Sequence, residues 1–234
     1  NKVFEAQKSF TSSASHEIKT PLTRMAFQLE NMKSEKNISF EDGRKLNQIL
    51  QDVYQLSELT QSLLLLAKLE EQNDKSSFEE IRIDEVVFDA FQQVEINYPF
   101  LKLNFNVSES IIPEASFTVK GIKSLLEIVF VNLFKNAAIY SKQPNIEVLL
   151  HETFYTVYVH VDSFGETISS ADQQTMFQSF SRGENSQNIP GSGLGLRIVK
   201  RILEFHNATI DYNIPIEYTN RFTIAFKKQI AINL

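Results

Sequence analysis

The sequence predicts an α+β protein in which an N-terminal antiparallel two-helix hairpin precedes an α/β sandwich. Three observations carry this. Residues 1–75 set apolar side chains at helical spacing and contain no strand-like alternation. From residue 78 onward, segments of period-two alternation interleave with amphipathic helices. Between the two regions, residues 70–77 (EEQNDKSS) are polar, the composition of a linker.

In the first region, Ile18, Leu22, Met25, Leu29 and Met32 form a narrow seam with spacings of 4, 3, 4 and 3. A polar stretch over 31–42 follows, with Ser39 and Gly43 where a turn or helix start belongs. The second seam is Leu46, Ile49, Val53, Leu56, Leu59, Leu63 and Leu66. Two helices with a short connection pack as a hairpin, and a hairpin has too little core to stand alone. A homodimeric four-helix bundle is the simplest cover for its apolar surface.

In the second region, strands are expected at 81–83, 101–107 and 117–119, with an amphipathic helix over 84–98. A strongly apolar helix over 121–140 expects Phe130, Leu133, Ala137 and Tyr140 on its buried side. Residues 146–150 and 156–161 read as a strand hairpin, 193–206 as a helix, and 209–212 and 222–226 as closing antiparallel strands. Helices on one face of one sheet complete the expectation.

Composition narrows the function. With 234 residues, 42% hydrophobic and 22% charged, the chain can bury a core. A net charge of −6 argues against a general nucleic-acid or anionic-membrane binder, which needs surplus cations. Zero Cys excludes disulfides, thiolate metal sites and a cysteine nucleophile. The run Leu63 to Ala67 is five apolar residues, against the ~20 a membrane span needs. The chain starts at Asn1, without initiator Met or signal peptide, and reads as an excised fragment.

Four segments have residues suited to chemistry. In SASHEIKTPL, His16 lies about 200° around the helix from the seam at Ile18, hence toward solvent, with Thr20 one turn on and Glu17 adjacent. An exposed imidazole beside a carboxylate is a nucleophile with a proton acceptor, or simply a surface histidine. Pro21 removes a helical hydrogen bond there. In EIVFVNLFKNAAIYS, Asn132 and Asn136 share a helix face, either as oxygen ligands for a hard cation with phosphates or as a hydrogen-bonded amide pair. In PGSGLGLRIVK, Gly191, Gly193 and Gly195 cluster in a chain with only seven glycines. Such a turn lets backbone approach phosphate at a helix N-terminus. In VDSFGETI, Asp162 at a strand end is a turn residue or an acceptor for a base amino group.

Together and in this order, these segments resemble the sensor histidine kinases of two-component systems. SxSHEIKTPL is similar to the family's H box, NLFKNA to its N box, DSFGETI to its G1 box, MFQSFSR to its F box and GSGLGL to its G2 box. The resemblance implies a dimerisation and phosphotransfer domain over 1–72 and a catalytic ATP-binding domain over 78–234. It implies His16 as phospho-acceptor, Glu17 as its proton acceptor and Thr20 as the residue that positions water in the reverse reaction. It implies Asn136 as the Mg²⁺ ligand, Asn132 near the phosphates, Tyr140 and Asp162 in the adenine pocket, and Gly165, Gly191, Gly193, Leu194, Gly195 and Leu196 around the nucleotide.

The resemblance further implies ATP and Mg²⁺ as cofactors, a homodimer, a response-regulator receiver domain as partner, and the cytoplasmic side of a protein anchored in the bacterial inner membrane through segments outside this sequence. The family's Asp-x-Gly-x-Gly-Ile is altered here. Either Phe164 occupies the first glycine position, or one residue is inserted so that Gly165 serves and Thr167 replaces the second. Ile139 stands where a lysine is common, and Asn207 with Ala208 replace two glycines. These departures leave open a second reading, a non-catalytic or phosphatase-dominant dimeric docking module with weak nucleotide binding.

Overall fold

A computed structural model describes residues 2–33, 39–71, 75–108, 117–181, 183 and 192–228, with backbone alone for 2–17, 70 and 71. The chain divides into two compact units, Asn1–Gln72 with Asn185–Leu194, and Asn73–Glu184 with Gly195–Leu234.

The first unit is built on α1 (Lys2–Lys33) and α2 (Phe40–Glu71), which pack against each other. Ser39 caps α2: its hydroxyl accepts from the Asp42 N–H at 3.1 Å, and its carbonyl accepts from the Gly43 N–H at 2.9 Å. Helix α1 runs through Pro21. The Tyr54 hydroxyl donates to Glu30 Oε1 at 2.5 Å and ties the two helices together.

Within the single chain each seam is only partly covered. Leu22 and Ala26 are buried and Leu29 is half-covered, whereas Ile18, Met25 and Met32 are exposed. On α2, Leu66 is buried, Leu46, Val53 and Leu59 are partly covered, and Ile49, Leu56 and Leu63 are exposed. The exposed residues recur every seven positions on each helix and are 39 to 50% accessible. A 3–4 pattern has two kinds of apolar position, and within one hairpin a single kind meets the neighbouring helix.

The second unit is an α/β sandwich. Five strands lie in the order β2 (Lys102–Val107), β4 (Asn145–Glu152), β5 (Thr156–Phe164), β7 (Thr219–Lys227), β6 (Ala208–Asn213). The expected antiparallel arrangement holds from β4 to β6, but β2 runs parallel to β4. Parallel neighbours need a long crossover, which β3 (Thr118–Gly121) and α4 (Lys123–Tyr140) supply. A separate antiparallel pair joins β3 to β1 (Glu79–Arg82).

Helices α3 (Ile83–Glu95), α4 and α6 (Gly195–Phe205) supply apolar faces to the core; α4 packs on α3 and α6, and against β5. On α4 the expected Phe130, Leu133 and Ala137 are buried, but Tyr140 is 41% exposed. Tyr140 is the last helical residue, and the chain turns outward at Ser141. A short helix, α5 (Ser170–Thr175), is capped by the Ser169 hydroxyl.

Two buried polar groups fasten the sandwich. Glu152 is fully buried; it accepts from the Phe117 N–H at 2.8 Å and pairs with Lys228. His206 follows α6 and bridges it to α4. Its Nδ1–H donates to the Ile202 carbonyl at 2.7 Å, and its Nε2 accepts from the Ile122 N–H at 3.0 Å. Both bonds together require the neutral ring, and burial pushes its pKa down. Asn207 takes the left-handed conformation at φ 55°, the role a glycine usually fills after a helix.

Candidate functional site

Helix α4 carries both asparagines, half-buried. They do not bond to each other. Asn132 Nδ2 donates back to the Ile128 carbonyl at 2.8 Å, which turns Oδ1 outward from that bond. Asn136 has no side-chain hydrogen bond among the described residues, so its amide oxygen is available to an incoming group.

The first residue of α6 explains one glycine directly. A Cβ at Gly195 would lie 2.9 Å from Asn132 Oδ1, so any other residue there displaces the amide. The last turn before that helix contains Gly193 at φ 68°, and Leu194, which is fully buried. Leu196 is half-buried in the first turn. Gly191 lies outside the described residues, as do the side chains of His16 and Glu17; their backbone is helical within α1. Thr20 is exposed on the same helix.

Gly165 sits against the end of α4. A Cβ there would meet the Tyr140 carbonyl at 3.1 Å and the Lys142 nitrogen at 3.2 Å. The loop is pinned on all sides: the Gly165 N–H donates to the Tyr218 carbonyl at 2.8 Å, and the Ile168 N–H to the Tyr212 hydroxyl at 3.0 Å. Tyr212 donates on to Asn220 Oδ1 at 2.6 Å, and Asn220 Nδ2 donates to the Glu166 carbonyl at 3.1 Å.

Asp162 is placed otherwise than expected. On β5, Val157, Val159 and Val161 are 0 to 2% exposed and form the helix-covered face. Successive strand residues alternate faces, so Tyr158, His160 and Asp162 lie on the opposite one. There the register aligns Glu147, Asp162, Arg221 and Asn213 in one cross-strand row. The Arg221 Nε–H donates to Asp162 Oδ1 at 2.7 Å and its Nη2–H to Oδ2 at 2.6 Å, a two-pronged pair that leaves the carboxylate only 6% exposed.

Next to it, Ser163 lies in register with the buried Ile146 and with Asn220, on the face of the helices. Pairing with β4 and β7 is continuous through Ser163, with no extra residue to accommodate. Gly165 and Thr167 stand two and four residues beyond Ser163. Sequence reasoning missed Ser163 and Arg221; counting by twos from Val157 finds the first, and nothing local finds the second.

The architecture is a helical hairpin followed by an α/β sandwich in which Gly195, at the start of α6, packs against Asn132 of α4. Residues 6–72 match the His Kinase A phospho-acceptor domain, and residues 121–230 the histidine kinase-, DNA gyrase B- and HSP90-like ATPase. The two matches together span most of the chain, which belongs to the sensor histidine kinases.

It is 29% identical over 227 residues to the heme sensor protein HssS of Staphylococcus saprophyticus, covering 96% of this chain and 47% of that protein. It is 29% identical to the sensor protein KdpD of Escherichia coli over 98% of this chain and 25% of that one. The chain thus spans half or less of these relatives. Full-length ShkA, solved in complex with AMPPNP, shares the fold at a TM-score of 0.72 and 19% identity, over 97% of this chain and 48% of that one. Among the described residues, no helix is long and apolar enough to cross a membrane.

Proposed function

We propose that this chain transfers the γ-phosphoryl group of Mg-ATP to a ring nitrogen of His16 and passes it to an aspartate of a response-regulator receiver domain. What carries the reading is the union, in one chain, of a phospho-acceptor match containing His16 with an ATPase match in which the Asn136 side chain on α4 has no hydrogen-bond partner among the described residues. Glu17 would take the imidazole proton, and Thr20 would position water for the reverse reaction on the receiver. Asn132 and the Gly193–Leu196 turn would hold phosphates, with Gly165 and Tyr140 beside the base. Among the described residues no trio of His, Asp or Glu gathers for a metal, but an amide oxygen suits a hard cation that shares its coordination with phosphate. Mg²⁺ held by Asn136 would supply charge neutralisation; the protein's own part is positioning.

The exposed stripes of α1 and α2 support a homodimeric four-helix bundle through residues 1–72, because two copies cover each other's Ile18, Met25, Leu56 and Leu63. As a user of ATP, the chain would work in the cytoplasm, on the inner side of a membrane-anchored protein. The test is incubation with γ-³²P-ATP and Mg²⁺: the chain should take up acid-labile label and His16→Gln should take up none. Label retained in His16→Gln would refute the acceptor assignment.

The outward Asp162 favours a second reading, a dimeric docking or phosphatase-dominant module with weak nucleotide binding. Calorimetry distinguishes them: no heat at millimolar Mg-ATP supports the module.

A further inference from the structure

The corner where β5 meets the end of α4 has hydroxyls where a carboxylate was expected. Asp162 lies on the far face with both oxygens held by Arg221, and Glu166 is exposed and paired with Lys142 at 2.8 Å. On the near face, the Ser163 hydroxyl has no hydrogen-bond partner among the described residues. Ser141 lies at the same corner, its Cα 3.4 Å from where a Gly165 Cβ would sit, and its buried hydroxyl is also unpartnered. A buried hydroxyl without a partner costs about 1–3 kcal/mol, which applies to Ser141; the Ser163 hydroxyl is half-buried and open to an incoming polar group.

We infer that Ser163, two residues before the Gly165 that packs on the end of α4, reads the base of the bound nucleotide, and that the site therefore accepts purine nucleoside triphosphates without distinguishing an amino group from a carbonyl at the base's six position. This rests on the nucleotide-binding reading above. The reason is donor–acceptor chemistry. An ionised carboxylate only accepts, so it selects the amino group of adenine and opposes the carbonyl of guanine. A hydroxyl donates or accepts by rotating about its C–O bond, so either base satisfies it.

The test measures Mg-ATP and Mg-GTP binding to the full chain by calorimetry, in the wild type, Ser163→Asp and Asp162→Asn, each checked for cooperative thermal unfolding. The expected wild-type affinities lie within about threefold of each other, since the same hydroxyl bonds either base. Ser163→Asp should favour ATP by about tenfold or more, because the guanine carbonyl then faces an acceptor. Asp162→Asn should leave the ATP-to-GTP ratio unchanged. A wild-type preference for ATP of about tenfold or more overturns the inference, and its loss in Asp162→Asn would assign base reading to that carboxylate instead. If neither nucleotide binds the folded wild type or the folded Ser163→Asp chain, the nucleotide reading itself fails, a different result from a strict preference for ATP. Should Ser163→Asp not fold, the wild-type ratio and Asp162→Asn decide alone.

Discussion

The hairpin and the sandwich use apolar residues in opposite ways. In the sandwich, Val157, Val159 and Val161 along β5, and Phe130 and Phe134 along α4, are buried within one chain. In the hairpin, Ile18, Met25 and Met32 on α1 and Ile49, Leu56 and Leu63 on α2 remain open at heptad spacing. A sheet with helices on one face completes its core alone, whereas two helices have only one contact surface between them. The hairpin thus leaves an apolar stripe open on each helix, whereas the sandwich closes its core within one chain.

The largest expected effect breaks the hairpin side of that contrast. Leu56→Asp with Leu63→Asp should weaken dimerisation by about four orders of magnitude, since two leucine burials are lost and two carboxylates meet an apolar surface. Sedimentation equilibrium checks this, and the thermal transition of the sandwich should stay where it was. A mutant that remains dimeric removes the stripes from the interface.

The converse change is Phe130→Ala, expected to cost the sandwich about 3–5 kcal/mol in denaturant unfolding through lost contacts and a cavity. It should leave association through α1 and α2 intact. Glu152→Gln follows at about 2–3 kcal/mol, because Lys228 keeps its charge against a neutral partner while its tail stays partly buried. If the loss is under half a kcal/mol, the pair is not a fastening of the core.

The smallest effect is one of pH. His206 is neutral in the fold and burial holds its pKa below the ordinary 6.5. Its contribution is therefore fully present above pH 6.5 and is lost as the pH falls from there toward the lowered folded-state value, since the unfolded chain then binds the extra proton. His160 is pushed the same way, first by burial and then by Arg221. Urea midpoints against pH should fall on the acid side, and His206→Gln should remove only part of that slope. An unchanged slope would mean the imidazole does not clamp α4 to α6.

Much of this was legible in the chain. The helix seams, the alternating valines of β5 and the glycines gathered around Gly193 are local patterns, and local sterics and periodicity are enough to read them. Ser39 marked the start of α2 because a hydroxyl there has backbone N–H groups to accept from. The face on which Asp162 lies was not legible, for an equally plain reason. A one-residue shift along a strand changes which face a side chain occupies, and proximity in sequence to Gly165 does not reveal it.

What the sequence determined by itself is the kind and order of the strands and of the longer helices, though not α5, and the gathering of glycines before α6, because periodicity and backbone freedom are properties of neighbours along the chain. The tertiary structure alone decided the rest. It decided which half of each helical seam stays open, that β2 joins the sheet in parallel, and that Asp162 is claimed by Arg221 from a strand fifty-nine residues away. Partners of that kind are set by strand register and helix packing, and those arise only when distant segments meet.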